Sequence, residues 1–104
     1  MTRDTFRVTF VTMIASFQHK GLKLFYDKGN ASKLQPAHVA KIRLILTRLD
    51  AAKTIVDMNV PGYGLHQLTG DLAGFWAVKV SGNYRIIFRF IGEDAHDVDY
   101  LDYH

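Results

Sequence analysis

The sequence predicts a single α+β domain in which two N-terminal helices cover one face of an antiparallel sheet. Three observations lead to it. Two apolar stripes at helical spacing lie between Lys20 and Leu49, alternating segments joined by glycine turns fill the chain from Tyr63 onward, and 104 residues leave room for one core. With 48% hydrophobic and 22% charged residues the chain has enough apolar material to fold.

The elements follow in order. Residues 1–12 read as an N-terminal extension, either an upstream start or a short extra strand, because Asp4 and scattered threonines interrupt the apolar run an export signal needs. Met13 to Phe17 alternates bulky and small residues and reads as the first core strand. Lys20 to Lys28 carries Leu22 and Phe25 at helical spacing and stops at Gly29-Asn30. A stronger helix begins near Pro36, with Val39, Ile42, Leu46 and Leu49 on one stripe and Ile45 beside it. Pro61-Gly62-Tyr63-Gly64 turns the chain into a meander with strands at Tyr63–Leu68, Gly74–Val80, Tyr84–Phe90 and His96–Leu101.

Charge divides the chain. Residues 1–90 hold 13 Lys+Arg against 5 Asp+Glu, whereas residues 91–104 hold 5 acidic residues and no Lys or Arg. A basic body with a sequence pI near 9.3 is the footprint of a protein that approaches phosphates. Zero cysteines exclude disulfides, thiolate zinc sites and a cysteine nucleophile, and no apolar run reaches the roughly 18 residues of a membrane span. A phosphate loop, HExxH and GxSxG are all missing, and the five histidines have no metal-site spacing. The reading is therefore without metal or cofactor, in a cytoplasmic protein.

Strand alternation sorts the remaining candidates. Trp76, Val78, Val80, Ile86, Phe88 and Phe90 form the face beneath the helices, which sends Lys79, Arg85 and Arg89 to the other side. If Leu65 points inward, His66 joins them, and the open face is expected to be basic. His66, Arg85 and the terminal Asp102-Tyr103-His104 combine proton-transfer groups with a fixed cation. Structural alternatives are a packed or surface role for His66, a salt bridge from Arg85 to Asp71 or Asp99, and a frayed end at His104. Lys41, Arg43 and Arg48 lie off the centre of the second helix, as a solvated face or as RNA contacts. Acid–base and electrostatic catalysis alone suffice to cleave RNA, which supplies its own 2′-hydroxyl nucleophile.

From Met13 to His104 the sequence resembles the HigB toxins of the RelE/ParE superfamily. The resemblance is carried by Ser16-Phe17 with His19-Lys20-Gly21-Leu22, by Leu65-His66-x-Leu68-x-Gly70-Asp71-x-x-Gly74-x-Trp76, and by Asn83-Tyr84-Arg85-Ile86-x-Phe88. Gly92-x-Asp94-Ala95 and the closing Asp102-Tyr103-His104 complete it. It implies a RelE/ParE-like domain over residues 13–104, with two N-terminal helices on a curved, mainly antiparallel sheet of about four to five strands. It also implies a toxin of a type II toxin–antitoxin system that cleaves mRNA on the ribosome and inhibits translation. The implied partners are the ribosome, mRNA and a HigA-like antitoxin, which alone would contact operator DNA. By motif position, His66, Asp102, Tyr103 and His104 would line the active site and Arg85 would bind the scissile phosphate. Lys20, Lys23, Lys41, Arg43, Lys79 and Arg89 would contact RNA or ribosome. Relatives often carry lysine where Thr69 stands, so that Lys79 or Arg89 would have to supply one phosphate contact. The alternatives are a ParE-like gyrase inhibitor of the same fold and a non-catalytic RNA-binding module.

Overall fold

In the computed structural model, residues 14–102 are described, so the extension at 1–12, Met13, Tyr103 and His104 lie outside the described residues. Helix α1 spans Lys20–Lys28 and helix α2 spans Val39–Ala51. Four strands follow, β1 (His66–Gln67), β2 (Trp76–Ser81), β3 (Tyr84–Ile91) and β4 (Asp94–Asp102), in one antiparallel sheet whose spatial order is the chain order.

Local chemistry sets the helix ends. The His19 ring nitrogen Nδ1 accepts the Leu22 N–H at 3.1 Å and caps the start of α1. Gly29, at φ 73°, takes the left-handed conformation that closes it, donating its N–H to the Phe25 carbonyl at 2.8 Å. Pro36 opens a 3₁₀ turn, Pro36–His38, that runs directly into α2. After α2 the Thr54–Asp57 capping box starts a second 3₁₀ turn, Ile55–Met58, which buries Met58 and which the apolar pattern did not announce.

One face of the sheet and both helices share a core. Leu22 and Phe25 of α1 and Ile42, Ile45, Leu46 and Leu49 of α2 pack with Val78, Val80, Ile86 and Phe88, while Trp76 and Phe90 border the cluster. Each fully buried aliphatic side chain here contributes about 1.5–3 kcal/mol. The expected helix-covered face is thus the observed one.

Three sequence expectations need correction. The strand expected at Met13–Phe17 is, among the described residues, two isolated parallel bridges to the edge of β4, Ile14 with Ala95 and Phe17 with Val98. The strand expected at Tyr63–Leu68 shrinks to His66–Gln67, because Gly64 at φ 60° and Gly70 at φ 67° turn the backbone on either side of it. The far face of the sheet is also less basic than alternation suggested. The segment after β1 bends back, with the Leu68 N–H bonded to the Phe75 carbonyl, and Leu68, Ala77 and Ile87 form a small second core with Leu72, Phe75 and Leu101.

Candidate active site

Cross-strand register places the site residues. His66 lies opposite Ala77, Ala77 opposite Ile87, and Lys79 opposite Arg85, so His66, Lys79 and Arg85 all rise from the face away from the helices. Leu65 packs against the main core, the condition under which His66 was expected to face outward. From strand spacing and rise, the His66 and Arg85 Cα atoms stand about 12 Å apart, a gap that two long side chains converging on one ribose and phosphate can span.

His66 is exposed, and its Nδ1 lies 2.9 Å from the Gly64 carbonyl oxygen. A carbonyl only accepts, so Nδ1 carries a proton, and in the tautomer this fixes the lone pair belongs to Nε2. Arg85 makes neither of the salt bridges considered from sequence. Its Nη1 instead donates to the Gly82 carbonyl at 2.8 Å and the Tyr84 carbonyl at 3.1 Å, tethering the guanidinium to the β2–β3 turn. Nε and Nη2 remain available to an anion. That turn is tight because Ser81 pairs with Tyr84 across Gly82-Asn83, and Gly82 takes φ 55°, where a type II′ hairpin requires glycine. The two orienting carbonyls escaped the sequence reading; the only trace of them is a glycine two residues before His66 and three before Arg85.

Arg89 shares the face but is occupied by Asp97, Nη1 to Oδ2 at 3.0 Å. This bond, ahead of weaker ones from Gln18 and Ser16, holds the Asp97 carboxyl below its ordinary range. Asp97 sits at φ 55° in a bulge of β4, where its N–H bonds Ser16 Oγ at 2.8 Å. Register pairs Asp102 with Tyr84 at the tip of β4, one residue out of phase with Arg85 and Leu101. Asp102 therefore starts from the helix side of the sheet, not from the face of His66.

The four remaining cations belong to the helix layer. Lys23 pairs with Asp27 at 2.9 Å, Lys20 is exposed on α1, and Lys41 and Arg43 lie over the rings of Tyr63 and Phe25. A groove of about 250 Å³ between the helices, lined by Phe25, Arg43, Leu46 and Asp50, belongs to that layer as well. Among the described residues no cluster of histidine, cysteine or carboxylate residues is arranged for a metal ion. No described helix is long and apolar enough to cross a membrane.

A third arrangement lies behind the site, under the end of β4. His38 is buried, and its Nδ1 is 2.6 Å from the hydroxyl of Tyr100, which is buried too. The Tyr84 and Tyr100 rings pack against the His38 imidazole at 4.8 and 6.0 Å between centroids. Burial raises the Tyr100 phenol above its ordinary value, opposed by a hydrogen bond from the Gln35 backbone.

Comparison with known proteins gives this geometry a family. Residues 15–104 match the family described as the RelE-like toxin of the type II toxin–antitoxin system HigB. The chain is 45% identical over 92 residues to the protein named Endoribonuclease HigB from Proteus vulgaris, covering 88% of this chain and 100% of that one. It is 32% identical over 94 residues to Toxin HigB-1 of Vibrio cholerae serotype O1 (strain ATCC 39315 / El Tor Inaba N16961), covering 88% and 98%. On these matches, which span most of the chain, the helix-backed sheet described above has its family, and the chain belongs to the HigB family of RelE-like type II toxins.

Proposed function

We propose that this protein is a metal-independent endoribonuclease that cleaves mRNA on the ribosome and is restrained by a HigA-like antitoxin. The observation that carries the reading is His66, whose Nδ1 proton is held by the Gly64 carbonyl on the same face as Arg85. In this reaction Nε2 of His66 takes the proton of a ribose 2′-hydroxyl, whose oxygen attacks the adjacent phosphorus. Arg85 stabilises the added negative charge of the phosphorane through Nε and Nη2. The 5′-oxygen leaves with a proton from His104 or Tyr103, giving a 2′,3′-cyclic phosphate and a free 5′-hydroxyl. Asp102, at the strand tip, orients the last two residues or the RNA. Lys79 steers the RNA on the same face, and Lys20, Lys23, Lys41 and Arg43 face ribosomal RNA from the helix layer.

Ribosome dependence has a physical motive. His66 is exposed, so the protein alone does little to exclude water or to hold a flexible strand in line for attack. The ribosome supplies that positioning.

The test is induction of wild type and of His66→Ala, Arg85→Ala and His104→Ala variants in cells, followed by mapping of mRNA ends. Wild type is expected to give codon-phased cuts, and loss of the base or the phosphate ligand to lower cleavage by about 10²–10³. Intact transcripts with DNA damage under wild-type induction would overturn the nuclease reading.

A further inference from the structure

Lys79 and Arg85 are direct cross-strand partners on the site face, a like-charge pairing that ordinarily weakens a sheet. No described residue pairs with either cation to relieve it. Arg85 donates only to the carbonyls of its own turn, Lys79 is exposed, and neither makes an ion pair with a described residue. Asp99, opposite Ile87 on the same face, accepts the Tyr100 N–H at 2.9 Å and forms no ion pair with either cation, and Asp97 takes Arg89. Arg85 is anchored at its guanidinium and Lys79 at its backbone. The Lys79 N–H donates to the Tyr63 carbonyl at 2.7 Å, and the tether to Gly82 fixes the guanidinium.

Two cations kept side by side with no ion-pair partner among the described residues make a socket for an external phosphate diester. We propose that Lys79 and Arg85 bracket one phosphate of the bound RNA, Arg85 through its free guanidinium edge and Lys79 as a point charge, which makes Lys79 a substrate-binding residue of this site. The inference rests on the nuclease reading for the identity of the anion and on the uncompensated pair for its location.

The decisive variant is Lys79→Glu, because it converts the repulsion into an ion pair with Arg85. If the pair exists to hold phosphate, stability and function move in opposite directions. The melting temperature rises by a few degrees while mRNA cleavage in cells falls at least tenfold. Lys79→Gln lowers cleavage less, and Lys33→Glu, with the same change of net charge, leaves it as in wild type. Binding of a fluorescein-labelled oligo(A) RNA by the purified protein gives an independent measure. Each lost phosphate contact should reduce the slope of log affinity against log salt by about 0.7. Unchanged cleavage and an unchanged salt slope in Lys79→Glu would overturn the proposal. A reduced slope together with no RNA cleavage by wild type would keep the phosphate clamp and reject the nuclease reading.

Discussion

Replacing Tyr100 by phenylalanine removes one oxygen atom, and the structure sets what that costs. The Tyr100 hydroxyl and His38 Nδ1 share one buried hydrogen bond, 2.6 Å long. Tyr100 and His38 are each only 8% exposed, so water cannot take over at the histidine. The loss is thus one buried ring nitrogen left without its hydrogen-bond partner, about 2 kcal/mol. For a domain of this size that lowers the melting temperature by roughly 8–16 °C. The partner variant His38→Phe keeps a ring against Tyr84 but also strands the hydroxyl. Combining the two removes both polar groups, so the double variant should lose less than the sum of the singles by about 1–2 kcal/mol. Thermal melts followed by circular dichroism measure all three. Strict additivity, or a Tyr100→Phe shift within about 2 °C of zero, would refute the account.

Further expectations concern backbone space and pH. Alanine normally improves a helix over glycine, yet a Cβ on Gly21 would stand 2.7 Å from Lys33 Cβ and 2.8 Å from the capping His19 ring, so Gly21→Ala should destabilise by about 1–3 kcal/mol in a denaturant titration. The Arg89 bond depresses the Asp97 carboxyl, so its contribution is present above the ordinary value of 3.8 and lost as pH falls through the lower folded value. An acid titration should therefore show a shallower loss of stability in Asp97→Asn than in wild type. At the alkaline end the Tyr100 phenol is raised above 10.0, the unfolded chain ionises first, and stability falls as pH climbs from there toward the folded value. Tyr100→Phe should flatten that limb in the same melts.

Much of this was legible in the chain because it depends on near neighbours. Leu22, Phe25 and Gly29 mark α1 to the residue, and alternation along β2 and β3 assigns Val78, Ile86 and Phe88 to the core and Lys79 and Arg85 to the free face. The misreadings share a non-local cause. The apolar cover of Leu68, Leu72 and Phe75 exists only because the segment after β1 folds back over the sheet, and the tether of Arg85 needs the carbonyl of a turn whose geometry no side chain records. The pairing of His38 with Tyr100 joins positions 62 residues apart, and neither residue type alone calls for the other.

The bulge at Asp97 reaches furthest. Ala95 lies in the core, and simple alternation would have sent residues 97, 99 and 101 after it; instead Val98 and Tyr100 are buried, and Asp99 and Leu101 stand opposite Ile87 and Arg85. A single left-handed aspartate thus reverses the parity of everything that follows it in the last strand. Flattening the bulge without removing a residue would leave composition and motifs untouched, yet it would swing Tyr100 away from His38 and exchange Asp102 and Leu101 across the sheet, whereas deleting Asp97 would keep both in place. The end of β4 is aimed by one backbone angle, and the faces it presents are hostage to a count of residues rather than to their kinds.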